Sequence, residues 1–299
     1  MADKFDWGSM ESFLAIARAG RLTVAAQRLG IDHTTLSRRI KDLEKALQTR
    51  LFERSVSGYR LTSQGERFLK SAQEVETIAL QAVHDIAGSS SKIAGSVRIG
   101  ATDGFGTFFL APRLVTMSAA HPELSLELVT MPRLFNLTKR EADLAIGLAR
   151  PEKGRLYAHK LTDYELGLYG STEYLARNGE PAARSELRRH RLIGYIPDLI
   201  YAEELDYIPL VTKEVEPWIT SSNLIAQFNM TLAHAGLCIL PRFMALPDPR
   251  LKRVLADDVR LIRSFWLIVH ADIRDLARIR YCSDFLTEEV RAQRQLFLA

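Results

Sequence analysis

The sequence predicts an α/β protein in two parts: a small, mostly helical N-terminal domain, and a larger α/β domain reached through a long helix. Three observations carry this. Apolar residues recur at helical spacing between Met10 and Leu47, broken by glycines; a seam at heptad spacing runs from Phe68 to Ile86; beyond Gly95, short apolar strands alternate with helical stretches. At 299 residues, 47% hydrophobic and 25% charged, the chain has globular composition and length for about two domains.

That composition excludes several classes. No apolar run approaches the roughly 18 residues needed to span a bilayer, and Met1 to Met10 is acidic and lacks a hydrophobic signal core, so a cytoplasmic protein is expected. Cys238 and Cys282 alone build neither a disulfide framework nor a zinc spacing, which agrees with a reducing compartment. The seven His are scattered, none four residues from another, so neither a metal site nor a metal cofactor is expected.

Charge is unevenly placed. Arg18 to Lys70 carries 12 Lys and Arg against 5 Asp and Glu, whereas residues 95 to 299 carry 26 against 25. A basic surface on a small domain attracts phosphates, although a solvated charged face has the same composition. The pattern beneath the charge decides between them.

Met10, Phe13, Leu14 and Ala17 recur at helical spacing before Gly20, which predicts a helix over 9–19. Thr23 is placed to cap a short second helix, Val24 to Leu29, with the small pair Ala25 and Ala26 and a stop at Gly30. Asp32 then caps a third helix whose apolar stripe is Leu36, Ile40, Leu43 and Leu47, leaving His33, Thr34, Ser37, Arg38 and Lys41 toward the other side. Hydroxyls and a guanidinium on that face can donate to phosphates and base edges in a major groove. Leu51-Phe52-Glu53-Arg54 and Tyr59-Arg60-Leu61-Thr62 around Ser55-Val56-Ser57-Gly58 read as a β-hairpin, the wing of a winged helix-turn-helix. The short second helix, the glycine turn and the basic surplus together favour DNA binding over a bundle with a polar outside.

From Phe13-Leu14-Ala15-Ile16-Ala17 through Ala25-Ala26-Gln27-Arg28-Leu29, Leu36-Ser37-Arg38-Arg39-Ile40-Lys41-Asp42-Leu43-Glu44 and Leu51-Phe52-Glu53-Arg54 to Leu61-Thr62-Ser63-Gln64-Gly65, the chain resembles the winged-helix domain of LysR-type transcriptional regulators in order and spacing. The resemblance implies that His33, Thr34, Thr35, Ser37, Arg38 and Lys41 face bases or phosphates and that Arg54 sits at the wing. The chain departs from many members at Asp32-His33-Thr34, where those have Ser-Gln-Pro or Ser-Gln-Ser, and its wing tip is poor in Arg and Lys.

Phe68, Ala72, Val75, Ala79, Ala82 and Ile86 follow one another at spacings of 4, 3, 4, 3 and 4. A seam near period 3.5 wants a partner helix, and its three Ala imply close approach, so a homodimer through this helix is expected. Two recognition helices then call for double-stranded DNA carrying an imperfect inverted repeat. In LysR-type proteins this is the linker helix. Gly88-Ser89-Ser90-Ser91-Lys92 reads as a hinge.

Strand candidates beyond it are Val97–Gly100, Leu124–Val129, Asp143–Gly147, Leu166–Tyr169, Leu192–Tyr195, Leu237–Leu240 and Phe265–His270. Gly95-Ser96-Val97-Arg98-Ile99-Gly100-Ala101, Ala142-Asp143-Leu144-Ala145-Ile146-Gly147 and Ala235-Gly236-Leu237-Cys238-Ile239-Leu240-Pro241 resemble the LysR-type effector domain. The resemblance implies two periplasmic-binding-protein-like lobes closing on a small-molecule effector, assembly into a homotetramer, and RNA polymerase as a partner. It divides the chain into a winged helix-turn-helix at 1–62, a linker helix at 63–88, a hinge at 89–95, a first effector subdomain at 96–163 with 267–299, and a second at 164–266.

Ligands of open α/β sheets bind beyond strand C-termini, where helix N-termini offer free N–H groups. Two places fit, Thr102-Asp103 and Ser221-Ser222-Asn223, and each reads equally as a helix cap. Family position favours Thr102 and Ser222 as effector contacts. Arg150 is placed to pair with a carboxylate, whereas Asp103 would repel one.

The competing class is an enzyme. Gly100-Ala101-Thr102-Asp103-Gly104-Phe105-Gly106 fits the glycine pattern that short-chain oxidoreductases set against an NAD(P) pyrophosphate. None of the nine Tyr has the Lys four residues on that such enzymes need to lower the phenol pKa, and no Gly-x-Ser-x-Gly elbow is present. No catalytic residue is therefore expected. The apolar context of Cys238 reads as a buried strand rather than a redox sensor.

Overall fold

The computed structural model describes residues 6–55, 58–87, 93–131, 137, 141–152 and 154–299. The chain forms two compact units, Met1–Ser91 and Lys92–Ala299.

In the first unit, α1 (Trp7–Ala19) starts earlier than expected because Asp6 caps it, its carboxylate accepting the Gly8 N–H at 3.1 Å and the Ser9 hydroxyl at 3.1 Å. It ends at Gly20, whose N–H reaches Ile16 O at 2.8 Å. α2 (Leu22–Leu29) follows after one extended residue, so the expected cap Thr23 lies inside the first turn and Arg21 holds the N-cap position without a side-chain bond. The corner turns at the left-handed Gly20, φ 65°, and the Tyr59 N–H donates to the Gly20 carbonyl at 2.8 Å. α2 stops at Gly30, φ 63°, a left-handed conformation that costs glycine little. Asp32 caps α3 (His33–Ala46).

β1 (Phe52–Ser55) and β2 (Gly58–Leu61) pair antiparallel as the wing, from Phe52 opposite Leu61 to Ser55 opposite Gly58. Gly58 has φ 127°, and a Cβ there would stand 2.3 Å from the Gly20 carbonyl oxygen, so this close approach requires glycine. Val56 and Ser57 at the wing tip lie outside the described residues, as do the hinge residues Gly88 to Lys92.

α4 (Ser63–Ala87) is the long helix, but its heptad seam is divided. Ala72 is fully buried in the core of its own unit, with Phe68 and Val75 packed against that core. The Phe68 ring meets the fully buried Phe13 ring edge-on at 4.9 Å. Arg18 of α1 adds a two-pronged bond to Glu76. The first half of the seam therefore packs in part on the core of its own unit, with Ala72 buried and Phe68 and Val75 half-buried. Ala79 and Ala82 stay exposed, and Ile78 beside them is 65% exposed. The Ile86 side chain lies outside the described residues.

The second unit runs β3 (Gly95–Ala101), a π-helical turn at Phe105–Leu110, α5 (Ala111–Ala120), β4 (Leu124–Thr130), β5 (Leu144–Gly147), β6 (Leu156–Ser171), α6 (Thr172–Asn178), β7 (Leu192–Gly194), α7 (Ile208–Val211), β8 (Ile219–Thr220), α8 (Leu224–Leu232), β9 (Leu237–Pro241), α9 (Arg242–Ala245), β10 (Leu251–Val254), β11 (Leu261–His270), α10 (Ala277–Ala292) and α11 (Arg294–Phe297). Among the described residues one sheet has the order β4-β3-β5-β11-β6-β9-β7-β8, with β10 also on β6.

Two parallel groups are the centres of two α/β lobes, β4-β3-β5 in lobe I and β9-β7-β8 in lobe II. The long antiparallel strands β6 and β11 join them. β9, Leu237 to Pro241, is buried along its whole length, as a strand inside a covered sheet must be. α10 turns Ile279, Cys282, Leu286 and Val290 inward at helical spacing. The expected strand Leu166–Tyr169 proves to be the far part of the longer β6, and β10 joins the sheet unforeseen.

Candidate nucleic-acid interface and ligand sites

With Leu36, Ile40 and Leu43 buried, the 3.6-residue period turns the rest of α3 outward. His33, Thr34, Arg38 and Lys41 are exposed, and Thr35 and Ser37 are half-buried. Thr34, Arg38 and Lys41 stand four and three residues apart and so share one face. Among the described residues, neither Arg38 nor Lys41 forms an ion pair, which leaves both cations available to an outside anion. Asp32 accepts the Thr34 hydroxyl and its N–H, the latter at 2.7 Å, and these bonds hold its carboxyl below the usual range. His33 Nδ1 lies 3.5 Å from Asp32 Oδ2, so the first turn of the helix carries an anion beside a titratable ring.

Arg54 is exposed on the wing, with its guanidinium 5.3 Å from the centroid of the Tyr59 ring opposite it. Arg28, Arg50 and Arg60 are also exposed on this unit, and sequence reasoning does not single them out. For Arg60 a signal existed: strand alternation puts it on the face opposite the core-packed Tyr59 and Leu61.

In the second unit, Thr102 and Asp103 follow β3, and Asp103 is buried. Its Oδ2 accepts the Leu224 N–H at 2.8 Å and its Oδ1 accepts the Gly104 N–H at 3.0 Å. Burial pushes its carboxyl above the ordinary range, against the pull of those N–H donors. Asn223 is the N-cap of α8, its Oδ1 accepting the Ala226 N–H at 2.9 Å, while Ser221 Oγ accepts the Asn223 N–H at 3.1 Å. Ser222 and Thr102 are partly exposed. The fold thus brings Asp103 against the α8 N-terminus beside Ser221, Ser222 and Asn223. Arg150 is exposed after β5 and, among the described residues, makes no ion pair with that group.

The space at this junction is about 10 Å³, room for about one water. Tyr164, Tyr195, Tyr201 and Tyr207 line it together with Asp103. Burial pushes all four phenols up. They lie far apart in the sequence, and none has a motif that marks it.

The dinucleotide reading of Gly100 to Gly106 is corrected by packing. A Cβ on Gly104 would stand 2.8 Å from Met244 Sδ, and one on Gly106 would stand 2.3 Å from Thr130 Cγ2. Both glycines are pressed against the protein's own side chains, with no opening for a pyrophosphate. Among the described residues no cluster of His, Cys, Asp or Glu could hold a metal ion, and no helix is long and apolar enough to cross a membrane.

Residues 7–66 match the model of the bacterial regulatory helix-turn-helix proteins of the lysR family, and residues 90–291 match the LysR substrate binding domain. The chain belongs to the LysR family. Among its relatives is the HTH-type transcriptional activator TtdR of Escherichia coli strain K12, 30% identical over 290 residues, 93% of this chain and 91% of that protein. The HTH-type transcriptional regulator CrgA of Neisseria meningitidis serogroup C is 26% identical over 93% of this chain and 95% of its own. The solved structure of Neisseria meningitidis CrgA has the same fold, with TM-score 0.60 at 23% identity over 96% of this chain and 99% of that one. A full-length OxyR variant from Pseudomonas aeruginosa superposes with TM-score 0.74 at 19% identity over 96% of this chain and 95% of that one. A LysR-type chain is a DNA-binding transcriptional regulator with an effector domain, and these relatives lend the oxidoreductase alternative no support.

Proposed function

We propose that this LysR-type protein binds an operator through α3 and the wing and that a small-molecule effector alters that binding. His33, Thr34, Thr35, Ser37, Arg38 and Lys41 meet bases and phosphates, and Arg54 meets the flanking backbone. Thr102, Asp103, Ser221, Ser222 and Asn223 at the lobe junction, with Arg150 from the segment after β5, are assigned to the effector, which enters when the lobes part. The chain works as a homodimer through the outer half of α4 and as a homotetramer of two such dimers, acts in the cytoplasm on RNA polymerase, and catalyses no reaction. An effector acts here by its differential affinity for two arrangements of the assembly.

The observation that carries this reading is the face shared by Thr34, Arg38 and Lys41, exposed on the helix that follows the Gly30 turn. Its cations have no ion-pair partner among the described residues, and a duplex offers phosphates at the matching scale.

Quantitative footprinting of the purified protein on DNA flanking its own gene, with salt titration, tests it. The expected result is protection over a few helical turns, two half-sites about one DNA turn apart, and affinity that falls steeply with salt. Absence of any binding would overturn the reading.

A further inference from the structure

Lobe II contains a cavity of about 680 Å³ that adjoins the small space between the lobes. Its apolar wall includes Ile193, Ile200, Ile208, Val215 and Ile239. All of its lining comes from the stretch that runs from β7 to β9, so lobe I contributes nothing to it. Pro197, Pro209 and Pro217 are among its lining residues, and each has its own φ fixed by its ring. A volume of this size, with a largely apolar surface and polar side chains among its lining, is the ordinary form of a small-molecule site.

We propose that this cavity is a ligand site of its own and that it takes a neutral, largely apolar ring compound bearing one hydroxyl or N–H donor. The donor follows from Gln227, which lines the cavity and is buried. Its Nε2 donates to Ser221 O at 3.1 Å, but the partner of its Oε1 among the described residues is the weak Cys238 thiol at 3.7 Å. A strong acceptor therefore stands at the wall with capacity to spare. Neutrality follows from the charges at the lining: Asp206 and Glu216 against Lys213, all exposed, a surplus of one negative charge that disfavours a carboxylate or phosphate.

The site also has a route to the rest of the domain. Tyr195, Leu205 and Tyr207 line both this cavity and the space between the lobes. Tyr207 lines the space between the lobes together with Tyr164, whose ring stacks on Phe265 of β11 with centroids 4.1 Å apart. A ligand that fixes Tyr195 and Tyr207 acts on the packing between the lobes while lying wholly inside one of them. The site rests on the geometry of lobe II and does not depend on the DNA-binding reading.

Two dyes that differ by one charge test this on the full chain: neutral N-phenyl-1-naphthylamine, which carries one N–H, and its sulfonated analogue 8-anilinonaphthalene-1-sulfonate. Fluorescence titration should give saturable binding of the neutral dye at one per chain, with the sulfonated dye at least ten-fold weaker. Thr220→Trp, which fills the cavity from an exposed position, should weaken the neutral dye at least ten-fold at unchanged Tm, while Thr102→Val between the lobes leaves it unaltered. If Thr220→Trp lowers the Tm, Gln227→Met decides instead, with roughly three- to ten-fold weaker binding expected from the lost acceptor. Absence of saturable binding, or unchanged affinity in the deciding variant, would overturn the site. Loss of binding in Thr102→Val would move it between the lobes, and equal or tighter binding of the sulfonated dye would overturn the neutral ligand class.

Discussion

Asp103 Oδ2 accepts the Leu224 N–H at 2.8 Å, so a carboxylate that follows β3 in lobe I rests on the N-terminus of α8 in lobe II. A helix N-terminus is where a ligand anion would be expected to sit, because its N–H groups are free and its dipole favours negative charge. Here the chain supplies that anion itself and latches one lobe to the other.

The latch carries a pH signature. Burial raises the folded carboxyl above its ordinary value, so between the two values the native state holds more protons than the unfolded chain. Stability from this group therefore rises as pH falls through that window and is lost as pH rises through the raised value. Asp103→Asn removes the dependence: the Tm of the variant minus that of the parent should be more positive at pH 7 than at pH 4. An equal difference at both pH values would remove Asp103 from the pH response.

Arg38→Ala should weaken operator binding by about 1–3 kcal/mol and lower the salt slope by about one phosphate, with helix content unchanged. Gel-shift titration at three salt concentrations reads both. A folded variant with the parental affinity and slope would take Arg38 off the contact face.

Along α4, two alanines seven residues apart should respond differently to the same change. Ala79→Glu places a charge on the exposed half of the seam and should shift the sedimentation coefficient toward the monomer while leaving the Tm of the N-terminal unit unchanged. Ala72→Glu buries a carboxylate in the core and should cost several kcal/mol, read as loss of that unit's melting transition. An intact dimer in Ala79→Glu would place the interface elsewhere.

Cys238 and Cys282 are both buried, and burial pushes both thiols up to about 12. Thiolate is the reactive form, so Ellman's reagent should titrate neither in the native protein and both in guanidinium. Rapid native reaction of either would reopen a redox role.

Glu165 is buried between two guanidiniums, Arg253 Nη1 at 2.5 Å and Arg260 Nε at 3.0 Å. Burial pushes its carboxyl up, but the bonds and charges of Arg260 and Arg253 outweigh this and leave it below the usual range. Its contribution is present at neutral pH and lost as pH falls through the depressed value. Glu165→Gln should cost about 3 kcal/mol at pH 7 by denaturant titration, with a smaller loss under acid.

What was legible in the sequence was local. The Gly30 stop, the Asp32 cap and the Leu36, Ile40, Leu43 stripe are each decided within a few residues, and each stands where expected. Thr23 failed because α2 starts one residue earlier, at Leu22, at a corner where the Gly20 carbonyl accepts from Tyr59, far along the chain. The α4 seam was legible as a stripe but not as a contact list: period tells that a helix has an apolar stripe, and only the tertiary fold shows that Phe13 meets Phe68. At the lobe junction the local cap Asn223 was readable, whereas the Asp103 bond and the four tyrosines depend on tertiary approach. β10 escaped notice because Lys252 and Arg253 interrupt its apolar residues.

The strand order also sets a timetable for synthesis. The lobe I sheet runs β4-β3-β5-β11, and β11 begins only at Leu261, so β5 waits through more than a hundred residues of translation for its neighbour. The helix-turn-helix unit, whose core lies within the first 91 residues, has its parts on hand early. A ribosome paused before β11 would hold a finished reading head and a lobe whose β5 edge, later covered, is still raw, the kind that pairs with neighbouring chains. Rare codons or truncations in that interval are therefore where this protein is most exposed to aggregation during its own manufacture.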